Sequence, residues 1–215
     1  DEAVARLFVS RMKLGMFRED DPHGYDSIPY EVVDSPEHRR INKEVAKRCI
    51  ALLKNESFTN SEQRLLPLNL ETIDTIAVIG PNADNRRALV GNYEGTASRY
   101  VTVLEGIQDY VGERARILYS EGSHLWRDRT SNLAEAGDRD SEIRAVCNAA
   151  DVVIAVLGLD ASIEGEGGDA GNQYGSGDKN DLNLPGHQRK VLELALESGK
   201  PIILVLLSGS ALIVP

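Results

Sequence analysis

A carboxylate can move a proton, attack a carbon or hold a cation, and this sequence gathers carboxylates on one glycine-rich stretch. Residues 158–186 read GLDASIEGEGGDAGNQYGSGDKNDLNLPG, with Glu164, Glu166 and Asp169 close together and Asp178-Lys179 further on. Glycines leave such a loop free to bend, so it could deliver a carboxyl group into a neighbouring site. Three readings stay open on composition: a solvated acidic loop, a catalytic or ligand-contacting loop, and a calcium site. In the last, the carboxylates, Asn172 and backbone carbonyls would supply the hard oxygen donors that a calcium ion takes.

Other candidates follow apolar runs. Gly80-Pro81-Asn82-Ala83-Asp84 closes the run TIAVI. It lacks the glycine spacing of a dinucleotide-binding turn, and Pro81 removes an N–H that a phosphate cradle needs. In Gly91-Asn92-Tyr93-Glu94-Gly95, Tyr93 is either a turn residue or a ring face offered to a sugar. His124 and Trp126, in the run SHLW, either line the same rim or pack within their loop. The four histidines are scattered, His38 on a polar helix among them, and no metal-ligand spacing occurs. Cys49 and Cys147 each sit in an apolar helical pattern and read as small buried hydrophobes.

These residues need elements to place them. Residues 1–17 carry apolar positions at helical spacing, with Gly15 suited to a helix end. Residues 18–36 are rich in Pro, Gly and Asp without periodicity, and read as a linker. Asp34-Ser35-Pro36-Glu37 then starts a helix whose face carries Ile41, Val45, Ile50 and Leu53 and which ends around 54–56. Beyond it, apolar runs alternate with helical patterns. Strands are expected at 75–79, 115–119, 152–157 and 201–207, and helices at 103–111, 141–150 and 186–198.

Strands apolar on both faces and alternating with helices predict an α/β fold. The expected architecture is a mostly parallel sheet with helices on both faces, an α/β sandwich incomplete at its C-terminal end. Ligands of such sheets sit at the carboxyl ends of the strands. That directs attention to loops 80–100, 119–140 and 158–185.

Composition narrows the partners. The chain has 215 residues, of which 41% are hydrophobic, enough for a substantial core, and its formal charge is −10. An acidic chain lacks the basic face that nucleic acid or an anionic membrane surface requires, so neither is expected as a partner. No apolar run reaches the roughly 20 residues of a membrane helix. The opening DEAVARLFVSRMKLGMF has no leader character and reads as the middle of a longer protein, as does the closing PIILVLLSGSALIVP.

Seven stretches, in order, carry a resemblance: RMKLGMF, VVDSPEHRRINKEVAKRCIALLKNES, IAVIGPNAD, GNYEG, DVVIAVLGLDASIEGEG, GDKNDLNLPGHQ and KPIILVLLSGSAL. Together the chain resembles glycoside hydrolase family 3, the β-glucosidase and β-xylosidase family. The resemblance implies a (β/α)8-type barrel followed by an α/β sandwich. Residues 1–17 would then be the last barrel helix, 18–36 the interdomain linker and 37–215 a truncated sandwich domain.

The same resemblance implies an activity. The chain would be part of a retaining, exo-acting β-glycosidase that removes terminal β-linked sugars from oligosaccharides without a cofactor. Its partners would be the glycoside and the barrel domain, whose aspartate nucleophile has no counterpart here. The acid/base glutamate is preferably Glu166, because Glu166-Gly167-Gly168-Asp169 matches the family's spacing, with Glu164 the alternative. Tyr93 and Asp169 are the implied substrate-binding residues. Ala170 stands where the family has arginine, and an insertion carries Asp178-Lys179 downstream. Retention requires two carboxyls roughly 5–5.5 Å apart. The competing readings are a non-catalytic carbohydrate- or calcium-binding α/β module and an oligomerisation domain.

Overall fold

The computed structural model describes residues 1–20, 24–57, 64–91, 95–128, 137–164, 171–176 and 179–214. The chain divides into two compact units, Asp1–Leu53 and Lys54–Pro215.

The first unit holds helices α1 (Glu2–Lys13) and α2 (Pro36–Cys49) with two short 3-10 turns between them. Gly15 follows α1 at φ 78°, a left-handed value that suits glycine after a helix. Ser35 caps α2 by accepting the His38 N–H, and Pro36 occupies the first turn, as the sequence predicts. The helix stops earlier than expected, at Cys49, with Ile50 extended at ψ 118°. No residue of α2 is buried, and helix propensity without burial sustains only marginal extension. Cys49 is correspondingly exposed, which corrects its reading as a buried hydrophobe.

The second unit contains β1 (Thr75–Ile79), α3 (Val103–Val111), β2 (Arg116–Ser120), α4 (Asp140–Ala149) and β3 (Val152–Gly158). The small pair β4 (Gly171–Asn172) and β5 (Gly175–Ser176), then α5 (Gln188–Glu197) and β6 (Ile202–Leu207), complete it. Four strands form one sheet in the order β2-β1-β3-β6. All three pairings are parallel, with Ile76 opposite both Ile117 and Val152, and Val153 opposite Ile202.

The two-residue period of a strand sorts the core into two layers. Ile76, Val78, Val152, Ile154 and Val156 meet Leu104 and Val111 of α3 on one face. Ala77, Ile79, Val153, Ala155 and Leu157 meet Ile143 and Cys147 of α4, and Val191, Leu192, Leu194 and Ala195 of α5, on the other. The expected parallel α/β sandwich is the observed one.

Two glycines mark where the central strands end and their loops begin. Gly80 has φ 109°, and a Cβ there would stand 2.3 Å from the Val156 carbonyl oxygen. Gly158 has φ 129°, and its Cβ would stand 2.0 Å from the Leu207 carbonyl oxygen. Backbones this close admit no side chain.

Candidate functional site

Three loops leave the carboxyl ends of β1, β2 and β3 and enclose a cleft of about 380 Å³. The β1 loop contributes Pro81, Asp84, Asn85 and Arg87; the β2 loop Glu121, His124, Leu125, Trp126 and Arg127; the β3 loop Asp160 and Ser162. These are parts of the three loops to which the sheet pattern points.

Buried polar groups fix the β1 and β3 walls to each other. Asn82, 1% exposed, donates from its backbone N–H to the Val156 carbonyl at 3.3 Å and from Nδ2 to the Leu159 carbonyl at 3.2 Å. Its Oδ1 accepts Asn85 Nδ2 at 3.0 Å, and the same Nδ2 donates to Asp160 Oδ2 at 3.0 Å. Helix α3 anchors this wall from behind. Its N-cap Thr102 forms a capping box with Glu105, and the Thr102 hydroxyl donates to Asp84 Oδ1 at 3.0 Å.

Asp160 shapes the turn that follows β3. Its Oδ1 accepts the Ser162 N–H at 2.8 Å and the Ser162 hydroxyl at 2.5 Å. Its carbonyl accepts the N–H groups of Ile163 and Glu164 at 2.9 and 3.3 Å. Ile163, fully buried, seats the turn on Leu125 and Leu159, with Trp126 and Tyr174 packed beside them. The turn ends at Glu164, half-buried, whose Oε2 accepts the Gly209 N–H at 3.1 Å.

The β2 wall is built around His124. Its Nδ1 accepts the backbone N–H groups of Trp126 and Arg127 at 3.1 and 2.9 Å, so in this arrangement that nitrogen carries no proton. The imidazole meets the Trp126 ring edge-on with centroids 5.9 Å apart. The Arg127 guanidinium lies 4.5 Å from the Trp126 ring centroid. His124 is therefore a loop-shaping residue as well as a lining one, and Trp126 is a lining aromatic.

Of the four site residues singled out from the sequence, Glu164 is placed, two residues after the cleft-lining Ser162 and bonded to Gly209. Glu166, Tyr93 and Asp169 lie outside the described residues, as does Asp178. The pair β4–β5, within the long loop, has too few residues to show as a pattern. Among the described residues, no three His, Cys, Asp or Glu side chains gather as a cation would need.

One buried polar position next to the cleft loops escaped the pattern reading. Gln188, at the start of α5, is 0% exposed. It stands three, four and seven residues before the buried Val191, Leu192 and Ala195. A polar residue in register with an apolar helical stripe is the signal that could have exposed it.

The sequence model of the glycosyl hydrolase family 3 C-terminal domain matches residues 50–215. The chain belongs to glycoside hydrolase family 3. Its family relatives include a β-xylosidase of Formosa agariphila, 34% identical over an alignment of 218 positions that covers 99% of this chain and 27% of that protein. A periplasmic β-glucosidase of Salmonella typhimurium is 31% identical over 99% of this chain and 28% of its own length. Among solved family 3 structures, an exo-β-xylosidase in complex with a xylobiose aziridine activity-based probe superposes with a TM-score of 0.71 at 30% identity. That superposition covers 93% of this chain and 22% of the other. The chain thus spans about a quarter of the length of the curated family members it matches.

Proposed function

We propose that this chain is the second domain of a retaining exo-β-glycosidase of the xylosidase or glucosidase type, and that it lends the acid/base glutamate. The observation that carries the reading is the turn 160–164: it rises from the carboxyl end of β3 at an aromatic-lined cleft and leads straight into Gly165-Glu166. The names of the family relatives, both xylosidases and glucosidases, support the substrate class of terminal β-linked sugars.

In this reading residues 1–17 are the last helix of a barrel domain, 18–36 the linker, and the sandwich follows. A barrel aspartate attacks the anomeric carbon while the Glu166 carboxyl gives its proton to the departing glycosidic oxygen. The carboxylate left behind then takes a proton from water, which attacks the anomeric carbon and releases the sugar and the aspartate. Two inversions give net retention. Asp169 and Tyr93 contact the substrate, Tyr93 by stacking on the leaving-group sugar. The sequential roles suit a carboxyl screened from water when sugar is bound and relieved of a neighbouring negative charge once the nucleophile is glycosylated.

The test is hydrolysis of aryl β-xyloside and β-glucoside by the full-length enzyme and by its Glu166→Gln variant. Turnover with retention, lost in the variant, is expected. A full-length protein that binds sugar but hydrolyses neither glycoside would replace the enzymatic reading with that of a binding module.

A further inference from the structure

The side-chain amide of Gln188 is buried, and it bonds to both loop walls of the cleft. Its Oε1 accepts the Gly158 N–H at 2.7 Å. Its Nε2 donates to the Gly158 carbonyl at 2.8 Å and to the Leu125 carbonyl at 2.8 Å. Both amide hydrogens and one acceptor position are therefore used.

The place of these bonds in the sheet gives them meaning. In a parallel ladder, a residue's N–H and C=O face the same neighbour as those two positions away. The Val156 carbonyl faces β1 and accepts the Asn82 N–H, so Gly158 faces that side too. There β1 has already ended: its last registered residue, Ile79, lies opposite Ala155. The Gln188 amide takes the position a further peptide of β1 would hold, and extends the ladder of β3 by one link.

The same amide also grips Leu125, the residue before Trp126. One side chain thus sets the exit of β3, six residues before Glu164, against the wall that carries Trp126. Neighbouring contacts reinforce the clasp. Gly186 N–H donates to Gln173 Oε1 at 3.0 Å, and a Cβ on Gly186 would lie 2.7 Å from the Trp126 Cα. His187 and Asp128 pair beside it.

We infer that Gln188 is a positioning residue for the acid/base step: its amide fixes the root of the glutamate-bearing loop against the Trp126 wall. The inference rests on the function proposed above. A buried amide could instead serve stability alone, so the test reads the chemistry of proton donation and not only folding.

In the full-length enzyme, Gln188→Glu keeps the volume and can keep the Gly158 N–H bond, but it cannot serve both carbonyls. An ionised carboxylate has no donor and a protonated one has a single donor. Gln188→Met keeps the volume and loses all three bonds. Active sites are counted with a 2-fluoro glycoside that traps the glycosyl-enzyme, so a smaller folded fraction does not enter the rates. A misplacement of about 1 Å can cost about a hundredfold, so kcat/KM for a disaccharide should fall about ten- to a hundredfold, while kcat/KM for a dinitrophenyl glycoside, which reads glycosylation alone and needs no proton donor, changes by less than about threefold. Equal losses on the two substrates, per titrated site, would overturn the inference and leave Gln188 a purely structural residue. Glu166→Ala runs in parallel. If it shows no dependence on the leaving group, the proposed function falls and this inference with it; if it shows one and the Gln188 variants do not, only the inference falls. Should Gln188→Met not fold, Gln188→Glu alone decides the outcome.

Discussion

The Glu164 carboxylate accepts the backbone N–H of Gly209 at 3.1 Å. This bond ties the turn after β3 to the segment after β6, and a Cβ on Gly209 would stand 3.3 Å from Glu164 Oε2. A general acid must present its carboxyl to the glycosidic oxygen, whereas Glu164 spends an oxygen on the protein's own backbone. The contact gives Glu164 a tethering role between the two segments.

The two glutamates are separable by their dependence on the leaving group. A dinitrophenolate departs unaided, while the alkoxide of a disaccharide must be protonated as it leaves. In the full-length enzyme, Glu166→Ala should slow disaccharide hydrolysis far more than glycosylation by a dinitrophenyl glycoside. Azide should restore turnover of the activated substrate and yield a β-glycosyl azide. Glu164→Ala should show neither behaviour. The same pattern at Glu164 would move the acid/base role by two residues and leave the mechanism standing.

Asp160 should matter for stability because its carboxylate organises the turn. It serves the Ser162 N–H, the Ser162 hydroxyl and Asn85 Nδ2 together. Removing a partner from semi-buried donors costs about 1–3 kcal/mol, so Asp160→Ala should lose about that much in thermal unfolding. Asp160→Asn should lose less, since its amide oxygen still accepts one donor. An unchanged melting temperature in Asp160→Ala would mean that the turn is held by Ile163 packing alone.

The sheet was legible because β1 and β3 are apolar on both faces, and only a two-sided sheet buries such runs. Their registers follow from strand sterics and covering helices, which leave a visible period. The end of α2 was not legible: Ala51, Leu52 and Leu53 are good helix formers, yet the backbone turns extended at Ile50. The cleft was half legible. Its three loops could be named from the strand ends, but the Asn82–Asn85–Asp160 chain joins residues some 75 positions apart, and no local pattern reports such a pairing. Gln188 was hidden for a related reason: its amide completes backbone groups of Gly158 and Leu125, and their need for partners appears only once the strands are assembled.

Gly158 offers a sharp test of the strand exit. Its φ is 129°, and the Leu207 carbonyl oxygen lies 2.0 Å from the point a Cβ would occupy, which leaves no room for a methyl group. The backbone must shift, and the pairing of Gly158 with Leu207 would be disturbed. Gly158→Ala should therefore destabilise by more than about 3 kcal/mol, at the high end of single substitutions, or fail to accumulate as folded protein. A variant within about 1 kcal/mol of the parent would show that the two strands separate freely at this point.

Tyr93 follows in sequence Asp84, Asn85 and Arg87, which line the cleft. If its ring stacks on the leaving-group sugar, Tyr93→Ala in the full-length enzyme should weaken disaccharide binding more than aryl glycoside binding. Loss of the ring's apolar contact area should then raise the disaccharide KM several-fold, at about 25 cal/mol per Å² of apolar surface returned to water. Equal changes on both substrates would return Tyr93 to a role in loop packing.

Cys147 should give the fold an alkaline weakness. It is fully buried among Ile143, Val191 and the sheet, and burial raises its thiol pKa from 9.0 to about 11. The unfolded chain releases this proton near the ordinary value, while the folded chain keeps it. Below pH 9 both states hold the proton and the residue adds no pH dependence. Between about pH 9 and 11 only the unfolded state ionises, so stability falls as pH rises through that window. Tyrosines and lysines titrate there too, so the measurement is the difference in unfolding free energy between the parent and Cys147→Ala at each pH. That difference should shrink as pH rises from 9 to 11, since the variant lacks the titrating thiol and the parent loses stability through it. Thiol reagents should meanwhile modify the exposed Cys49 at once and Cys147 only upon unfolding. A constant difference across the window, or early modification of Cys147, would mean that the face between α4 and the sheet opens to water in the native protein.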